Sequence, residues 1–342
     1  MLTWLCLAAA VLAGTGFWAL HIPLAFVLGP MLVTAGFSVG GNRVWAPKSG
    51  RRFGQLVVGS AIGLNLSPPV LASMAGWLPT MILTAILSMT FSAVLATALA
   101  RLGRIDGKTA FFAMMPGGLA EMATVGAAQG ARSEPIALVQ ALRVALVVCI
   151  IPPLIGRYGT DGGLVSLADK AALEPLWVAA LLLASGAGVL VLRLLRFSNP
   201  WVVGAILGAA ALAASGQAVG HLPNWLFYLA QFLIGIAIGA RFKRDTIDQL
   251  RRVALAGSGL VVVMTAGLFG YACLLAALSG IDVASATLAT SPGGFAEMAA
   301  SAQSLHLDVA LVAGFHVVRS IMVNGLTPAC WTLAHRAGLF RS

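Results

Sequence analysis

Apolar stretches of roughly 20 residues, the length that crosses ~30 Å of hydrocarbon as a helix, recur along the chain with short polar connections between them. The alternation of apolar and polar residues that marks membrane β-strands does not occur in these stretches. Backbone groups in lipid must pair within a helix or within a closed barrel. The pattern therefore predicts an all-α polytopic membrane protein.

The predicted spans form two series of five, and each series holds one further apolar stretch that is interrupted by Pro-Gly-Gly. The first series is 2–20, 22–40, 54–72, 77–100 and 134–156, with the interrupted stretch at 109–131. The second series is 175–195, 200–219, 225–240, 253–278 and 308–334, with the interrupted stretch at 283–303. We therefore divide the chain into repeat 1, residues 1–165, and repeat 2, residues 174–342.

Both interrupted stretches contain the octapeptide Pro-Gly-Gly-x-Ala-Glu-Met-Ala, with seven of eight positions identical. The copies begin at Pro116 and Pro292, which gives an offset of 176 residues. The same offset relates further polar positions, namely Gln55 to Gln231, Arg143 to Arg319 and Gln140 to His316. An apolar composition shared by the two halves would not by itself place proline, glycine, glutamate and arginine at equivalent positions. The motif indicates a duplication and a functional site with two parts.

Composition excludes other classes of protein. Of the 342 residues, 59% are hydrophobic and 9% are charged, so no segment is polar enough to form a soluble domain. The net charge of +10 does not indicate nucleic acid as a partner, because the basic residues lie in short loops between spans. There they act as topology signals and contact anionic lipid, so the bilayer is the predicted partner.

The distribution of Lys and Arg favours interrupted stretches that enter and leave on one side of the membrane as re-entrant hairpins. With the N-terminus inside, all but four of the 21 Lys and Arg residues then lie in cytoplasmic loops. If the first stretch crossed instead, the basic cluster 241–252 would face outward. Five spans per repeat also invert repeat 2 relative to repeat 1. The prediction is two inverted five-span repeats, about ten spans plus two hairpins, with both termini cytoplasmic.

Inverted repeats with broken helices are typical of secondary transporters, which bind solute near the midplane. Pro116 ends one half-helix, while Gly117 and Gly118 let the chain reverse and let a ligand approach the backbone. The next half-helix presents its positive N-terminal end, which suits an anionic group. Repeat 2 has the same tip. Its residues are Pro292, Gly293 and Gly294.

The carboxylates of Glu121 and Glu297 follow the tips, each beside a methionine of the motif, Met122 or Met298. One interpretation is a site that couples transport to H⁺ or Na⁺, since ionisable groups within spans are costly and commonly functional. The alternative is a helix-capping acid, or a partner for an arginine of the following span.

Arg143 and Arg319 have two interpretations as well: they bind an anionic substrate, or they pair internally with the two glutamates. The balanced charges favour the internal pair. Gln55 and Gln231 either line the cavity or belong to closely packed small-residue helices. The remaining pair, Gln140 and His316, is predicted to join the polar centre.

At the two motifs, and at the Gln-Arg and His-Arg positions after them, the chain resembles the AbrB-type membrane protein family. The resemblance covers essentially the whole chain and implies a bacterial inner-membrane protein. Family members carry the labels ammonia monooxygenase and AidB regulator. The architecture is similar to that of bacterial citrate and glutamate symporters, and this analogy implies a homodimer.

An oxygenase activity requires metal ligands that can be looked for in the sequence. Copper or iron sites need clustered imidazoles or carboxylates, but the five histidines are dispersed. We therefore expect no enzyme activity, no metal and no cofactor other than a coupling ion. The predicted function is a secondary active transporter of a small solute, an organic anion, driven by H⁺ or Na⁺. The alternatives are a facilitator for a neutral solute such as ammonia, an indirect effect on gene expression and, last, a membrane oxygenase.

Overall fold

The computed structural model describes residues 2–66, 68–159, 173–195, 197, 199–215 and 220–340. The regular elements of these residues are α-helices. The first eight are α1 Leu2–Ala19, α2 Ala25–Val39, α3 Lys48–Gly63, α4 Pro68–Ala75, α5 Leu78–Gly103, α6 Gly107–Met114, α7 Leu119–Ala128 and α8 Ser133–Tyr158. The others are α9 Pro175–Leu194, α10 Pro200–Ala214, α11 Asn224–Gly239, α12 Arg244–Gln249, α13 Arg251–Ser279, α14 Val283–Thr290, α15 Phe295–Ser304 and α16 Val309–Arg336.

Six of the described helices are long and apolar enough to cross a membrane, namely α1, α5, α8, α9, α13 and α16. This confirms the predicted class, an all-α membrane protein. Three further apolar helices, α2, α10 and α11, have 15 or 16 residues. At ~1.5 Å per residue they reach about 23 Å, which is less than the ~30 Å of a hydrocarbon core.

The prediction of a single span at 54–72 was wrong. The structure has α3, which begins at Lys48 and ends at Gly63, followed by the separate short helix α4. A proline lacks a backbone N–H and disfavours helical conformation in the residue before it. Pro68 therefore suits the first position of α4, whereas α3 has already ended at Gly63, and the polar first turn of α3 is not visible to a hydropathy pattern.

Elements in the second half of the chain follow those in the first half at the offset of the motif. Three helices of the second half begin and end 176 residues after their counterparts in the first half. The pairs are α3 with α11, α6 with α14, and α7 with α15. The long helices correspond in the same order: α5 matches α13, and α8 matches α16. The internal repeat is therefore present in the backbone as well as in the sequence.

The matched helices α5 and α13 pack against each other and run antiparallel. The hydroxyls of Thr84 and Tyr271 are 2.9 Å apart, and Ser92 Oγ lies 3.4 Å from Met264 Sδ. Residue numbers thus rise along α5 while they fall along α13. Two equivalent helices that pack antiparallel are related by a two-fold axis perpendicular to them.

The first three helices of each half interlock in a unit that we call the scaffold bundle: α1–α3 and α9–α11. Helix α3 packs on α10, and its counterpart α11 packs on α2. Glycines allow the close approach. A Cβ on Gly59 would lie 2.8 Å from the carbonyl oxygen of Val202, and one on Gly235 would lie 2.4 Å from that of Val27. Small residues at such crossings are typical of membrane helix pairs.

The remaining long helices and the interrupted stretches form a second unit, the hairpin bundle: α5–α8 and α13–α16. Within it α6 and α7 fold back on each other, because Lys108 Nζ at the start of α6 donates to the Gln129 carbonyl after α7 at 2.8 Å. Helices α14 and α15 fold back in the same way. There the backbone N–H of Asp308 donates to Ser285 Oγ at 3.3 Å.

The bases of the two hairpins lie at opposite ends of α16. Asp308 caps the N-terminus of this helix and contacts the base of the α14–α15 hairpin. Near its other end, the Trp331 ring lies 5.9 Å from Lys108 Nζ at the base of the α6–α7 hairpin. From Asp308 to Trp331 the chain advances 23 residues, so the two bases are separated by about 35 Å of helix at ~1.5 Å per residue.

Candidate functional site

Each hairpin reverses at its Pro-Gly-Gly tip. Met115, the residue before Pro116, has ψ of 134°, which ends α6 as expected for a residue that precedes proline. Gly118 is the N-cap of α7, which begins at Leu119. In the second hairpin the corresponding N-cap is Gly294. The predicted positions of the breaks and of the second half-helices therefore agree with the structure.

The two glycines of the first tip accommodate two later side chains of the same motif. A Cβ on Gly117 would lie 2.7 Å from Met122 Cε. A Cβ on Gly118 would lie 1.3 Å from Glu121 Oε2. Neither position has space for a side chain, so the first glycine makes room for the methionine and the second for the glutamate.

The second tip repeats this arrangement. A Cβ on Gly293 would lie 2.8 Å from Met298 Sδ, and a Cβ on Gly294 would lie 2.1 Å from Glu297 Oε2. The spacing Gly-Gly-x-Ala-Glu-Met thus has one physical reason in both halves: the carboxylate and the thioether fold back over the tip.

The folded-back carboxylates lie at the positive ends of the second half-helices. Glu121 is in the first turn of α7, and Glu297 is in the first turn of α15. An anionic side chain in this position is stabilised by the helix dipole. The backbone N–H groups of Glu121 itself and of Asn199 also interact with the Glu121 carboxylate. This geometry fits the helix-capping interpretation, and it leaves the ion-coupling interpretation open.

Arg143 on α8 binds the first tip. Its Nη1 donates to the Met115 carbonyl and its Nη2 to the Gly117 carbonyl, each at 2.7 Å. The guanidinium is 2% exposed, and its carbonyl partners lie at the C-terminal end of α6, where the dipole is negative and carbonyls lack helical partners.

Arg319 on α16 binds the second tip in the same way. It donates to the carbonyls of Ser291 and Gly293, the latter at 3.0 Å. The predicted pairing of the two arginines with the motif glutamates was wrong. Between residues that the structure describes, the one ion pair joins Arg244 and Asp248 at 3.6 Å. A planar guanidinium with five donors satisfies several carbonyls at once, which explains why the tips bind arginine.

Gln140 and His316 join the tips, as predicted from their offset. Gln140 Nε2 donates to the Met115 carbonyl at 2.8 Å. His316 Nε2 lies 2.9 Å from the Leu288 carbonyl, while its Nδ1 lies 2.8 Å from Arg319 Nη2. Since arginine only donates, Nδ1 accepts and the imidazole is the Nε2–H tautomer.

Gln55 and Gln231 lie in the scaffold bundle, beside the crossing of α3 and α11. A Cβ on Gly54 would lie 2.7 Å from the Ala230 carbonyl, so the two helices are in close contact there. Gln231 is buried at 3% exposure, whereas Gln55 is half-buried. Their surroundings agree with the close-packing interpretation of these segments.

Sequence reasoning did not identify Arg51 and Arg241 as site residues. Arg51 is in the first turn of α3, and Arg241 follows the end of α11. Arg241 interacts electrostatically with both Glu297 and Glu121, and Arg51 interacts with Glu121. The two basic side chains of the scaffold bundle therefore lie within electrostatic range of the carboxylates of the hairpin bundle, although no ion pair joins them among the described residues.

A signal for these two residues was present in the repeat. The offset places Phe227 opposite Arg51 and Asn65 opposite Arg241, so the two arginines break the internal symmetry. Sequence reasoning treated them only as topology signals. A basic residue without a basic counterpart is a candidate for a role that only one half performs.

Taken together, the centre holds four guanidinium groups and two carboxylates. The guanidinium groups of Arg143 and Arg319 interact electrostatically with each other, so the two tips are close neighbours. In the described part of the chain, no group of three or more His, Cys, Asp and Glu side chains forms a candidate metal site.

The fold and this buried polar centre define a helical membrane protein with two broken-helix hairpins. The chain belongs to the AbrB family, whose model, described as "Transition state regulatory protein AbrB", matches residues 26–335. The predicted family is thereby confirmed. The chain is similar to "Uncharacterized protein YhjN" of Bacillus subtilis (strain 168), with 29% identity over 91% of this chain and 84% of the relative. It is also similar to "Putative regulator AbrB" of Escherichia coli (strain K12), with 29% identity over 94% and 93%.

Proposed function

We propose that this protein is a secondary active transporter of a small organic anion in the bacterial inner membrane, coupled to H⁺ or Na⁺. The observation that carries the proposal is the arrangement of Arg51 and Arg241 against Glu121 and Glu297 at the broken-helix tips. Transporters bind their solutes and coupling ions at discontinuous helices of this kind.

The proposed membrane arrangement is two inverted repeats with re-entrant hairpins that open to opposite faces. Three observations support it: the antiparallel pairing of α5 with α13, the folded-back hairpins, and the position of their bases at opposite ends of α16. The short helices α2, α3, α10 and α11 complete ten crossings. They pack against one another and against α1 and α9, where protein replaces lipid.

The charges at the two ends of the hairpin bundle support a cytoplasmic location for one of them. The end at which α5 and α16 finish carries seven basic residues: Arg101, Arg104, Lys108, Arg132, Arg251, Arg252 and Arg336. At the opposite end, Asp282 and Asp308 cap α14 and α16. Cytoplasmic ends collect Lys and Arg, so we place the basic end and both termini inside.

The sign of the solute charge follows from the balance in the centre. The Nη groups of Arg143 and Arg319 donate to tip carbonyls while their Nε atoms are buried without a hydrogen-bond partner, so both contribute positive charge without using the glutamates. Arg51 and Arg241 then leave the centre more positive than negative when all groups are ionised. A buried charge is usually paired, and an anionic solute supplies the missing negative charge.

Coupling follows from where the charges are placed. The carboxylates belong to the hairpin bundle and the two facing arginines belong to the scaffold bundle. Protonation of a glutamate, or Na⁺ binding to it, removes negative charge and so weakens the attraction between the two bundles. An anion that binds Arg51 and Arg241 then takes the place of the glutamate as their negatively charged partner. Movement of the hairpin bundle along the scaffold then exposes the tips to each side in turn.

The experiment is uptake of radiolabelled carboxylates, from acetate to citrate, by proteoliposomes under an imposed pH or Na⁺ gradient. The proposal predicts accumulation of at least one carboxylate that collapses when the gradient is removed. Arg241→Gln should reduce this uptake, and Arg244→Gln is the matched control because Arg244 is 63% exposed on α12. If no carboxylate is taken up, or if uptake ignores both gradients, the proposal fails.

Two other functions make different predictions in the same assay. A facilitator for a neutral solute such as ammonia gives uptake that is independent of Arg51, Arg241 and both gradients. A regulatory role rests on the name of the Escherichia coli relative. For this chain we assign such an effect to solute flux, so it should disappear together with transport.

A further inference from the structure

A cavity with basic residues in its lining lies away from the tips, at the C-terminal end of α16. Its volume is about 240 Å³, and it is lined by Lys108, Trp331, Thr332, His335 and Arg336. None of the tip residues lines it. Among the residues that the structure describes, no acidic side chain lines it either.

The floor of this cavity is built from packed aromatic rings. Trp331 is 9% exposed, and its ring centroid lies 5.4 Å from that of Phe111 and 5.2 Å from that of Phe340. A Cβ on Gly107 would lie 2.7 Å from Phe340 Cδ1, so the start of α6 also packs on the turn that follows α16. The walls therefore have fixed positions relative to each other.

The polar groups of the cavity are basic and retain free donors. Lys108 Nζ lies 5.9 Å from the centroid of Trp331 and gives one N–H to the Gln129 carbonyl. An ammonium group has three donors, so two remain for a ligand. His335 contacts the Trp331 ring at 5.5 Å between centroids, and Arg336 is exposed at the rim. Basic donors around an aromatic floor are suited to a phosphate group.

We propose that this cavity binds a phosphate ester, and that the ester is carried by the headgroup of an anionic phospholipid. The cavity lies at the basic end of the hairpin bundle, which faces the anionic cytoplasmic leaflet in the proposed topology. Leu333 and Leu339 are exposed at 65% and 40% near the same end, and they offer apolar surface to acyl chains.

A ligand in this cavity would join two elements of the hairpin bundle. Lys108 belongs to the base of the α6–α7 hairpin, whereas His335 and Arg336 belong to the last turns of α16. A phosphate bound between them bridges the two and holds the base of this hairpin against α16. Lipid composition is thereby linked to the stability of the hairpin.

The test is thermal unfolding and native mass spectrometry of the full chain, purified in dodecyl maltoside. The probes are dioctanoyl phosphatidylglycerol, dioctanoylglycerol, which lacks the phosphate, and inorganic phosphate. We expect phosphatidylglycerol to be retained and to raise the midpoint of unfolding, and dioctanoylglycerol to do neither. Stabilisation by inorganic phosphate at the same concentration would support the phosphate site but assign it to a soluble ester.

The decisive variant is Arg336→Gln, because this exposed side chain can be changed without disturbing the aromatic floor. It should weaken retention of phosphatidylglycerol at least tenfold, and Lys108→Gln combined with it should weaken retention further. The matched control is Lys243→Gln, an exposed basic residue outside the cavity. Equal retention by Arg336→Gln and the unaltered protein, or equal losses in Lys243→Gln and Arg336→Gln, would overturn the proposal. Transport is not needed for this readout, so it is independent of the proposed function.

Discussion

Arg143 Nη2 donates to the carbonyl oxygen of Gly117 at 2.7 Å, across 26 residues of sequence. The partner is a backbone atom at the tip of a broken helix, so the buried guanidinium fixes the break and is not held by a carboxylate. Arg319 and Gly293 repeat the relationship at 3.0 Å. The motif arginines thus hold the hairpin tips and form no ion pair with the motif glutamates.

Arg143→Lys should destabilise the folded protein by about 2 kcal/mol, because lysine lacks the planar fork of two nitrogens that matches the two tip carbonyls, and a buried unsatisfied carbonyl costs ~1–3 kcal/mol. The measurement is thermal or denaturant unfolding in detergent. Arg157→Lys serves as the control, since Arg157 is an exposed residue in the last turn of the same helix. Equal stability of Arg143→Lys and Arg157→Lys would show that the tip does not depend on the guanidinium.

Gly118→Ala should displace the Glu121 carboxylate, because the added Cβ would lie 1.3 Å from Oε2. Adding Glu121→Ala removes the obstructing side chain, so the double variant should recover part of the lost stability. A double-mutant cycle on unfolding midpoints measures this coupling.

The control for the glycine change is Gly186→Ala in α9, where an added Cβ has nothing within 4 Å. There alanine should be neutral or slightly stabilising, since it favours helix by ~1 kcal/mol over glycine. Strict additivity of Gly118→Ala and Glu121→Ala would mean that the carboxylate does not occupy the space over the glycine.

Single cysteines at Gln129 and Ser304 should react with a membrane-impermeant maleimide from opposite sides of the membrane. Both positions are exposed and lie at the ends of the second half-helices, α7 and α15. They are nearly equivalent in the two repeats, because their separation is one residue less than the offset of 176 residues. The background requires replacement of the native thiols, which are Cys6, Cys149, Cys273 and Cys330. Labelling of both positions from one side would refute the inverted arrangement.

Arg241→Gln should raise the KM for the transported anion about tenfold or more, because hydrogen bonds to charged groups contribute ~1.5–3 kcal/mol. Arg241→Lys should retain part of the affinity, since charge is kept while planar two-point binding is lost. Concentration dependence of initial uptake separates the KM from the maximal rate. An unchanged KM in Arg241→Gln would remove this residue from the solute site.

The broken helices of the two repeats were predictable because each contains a short sequence that by itself ends a helix. A proline followed by two glycines ends a helix by a local mechanism, so the breaks at the tips were located to the residue. The division between α3 and α4 was missed because the apolar residues on both sides were assigned to one span, although Asn65, Ser67 and the two prolines after it interrupt them.

The partners of the buried charges were not predictable from spacing. Arg143 satisfies tip carbonyls, and backbone atoms leave no trace in composition. Arg51 lies at the start of α3 and Arg241 follows the end of α11, and only the three-dimensional fold brings them near the motif glutamates.

The central claim is that Glu121 and Glu297 couple the movement of an anion to H⁺ or Na⁺. The most direct measurement is gradient-driven carboxylate uptake by proteoliposomes containing the unaltered protein, Glu121→Gln, Glu297→Gln or both changes, each first shown to be folded by its unfolding transition. The account predicts that the double variant loses accumulation against the concentration gradient. Accumulation by the double variant at the rate of the unaltered protein would contradict it.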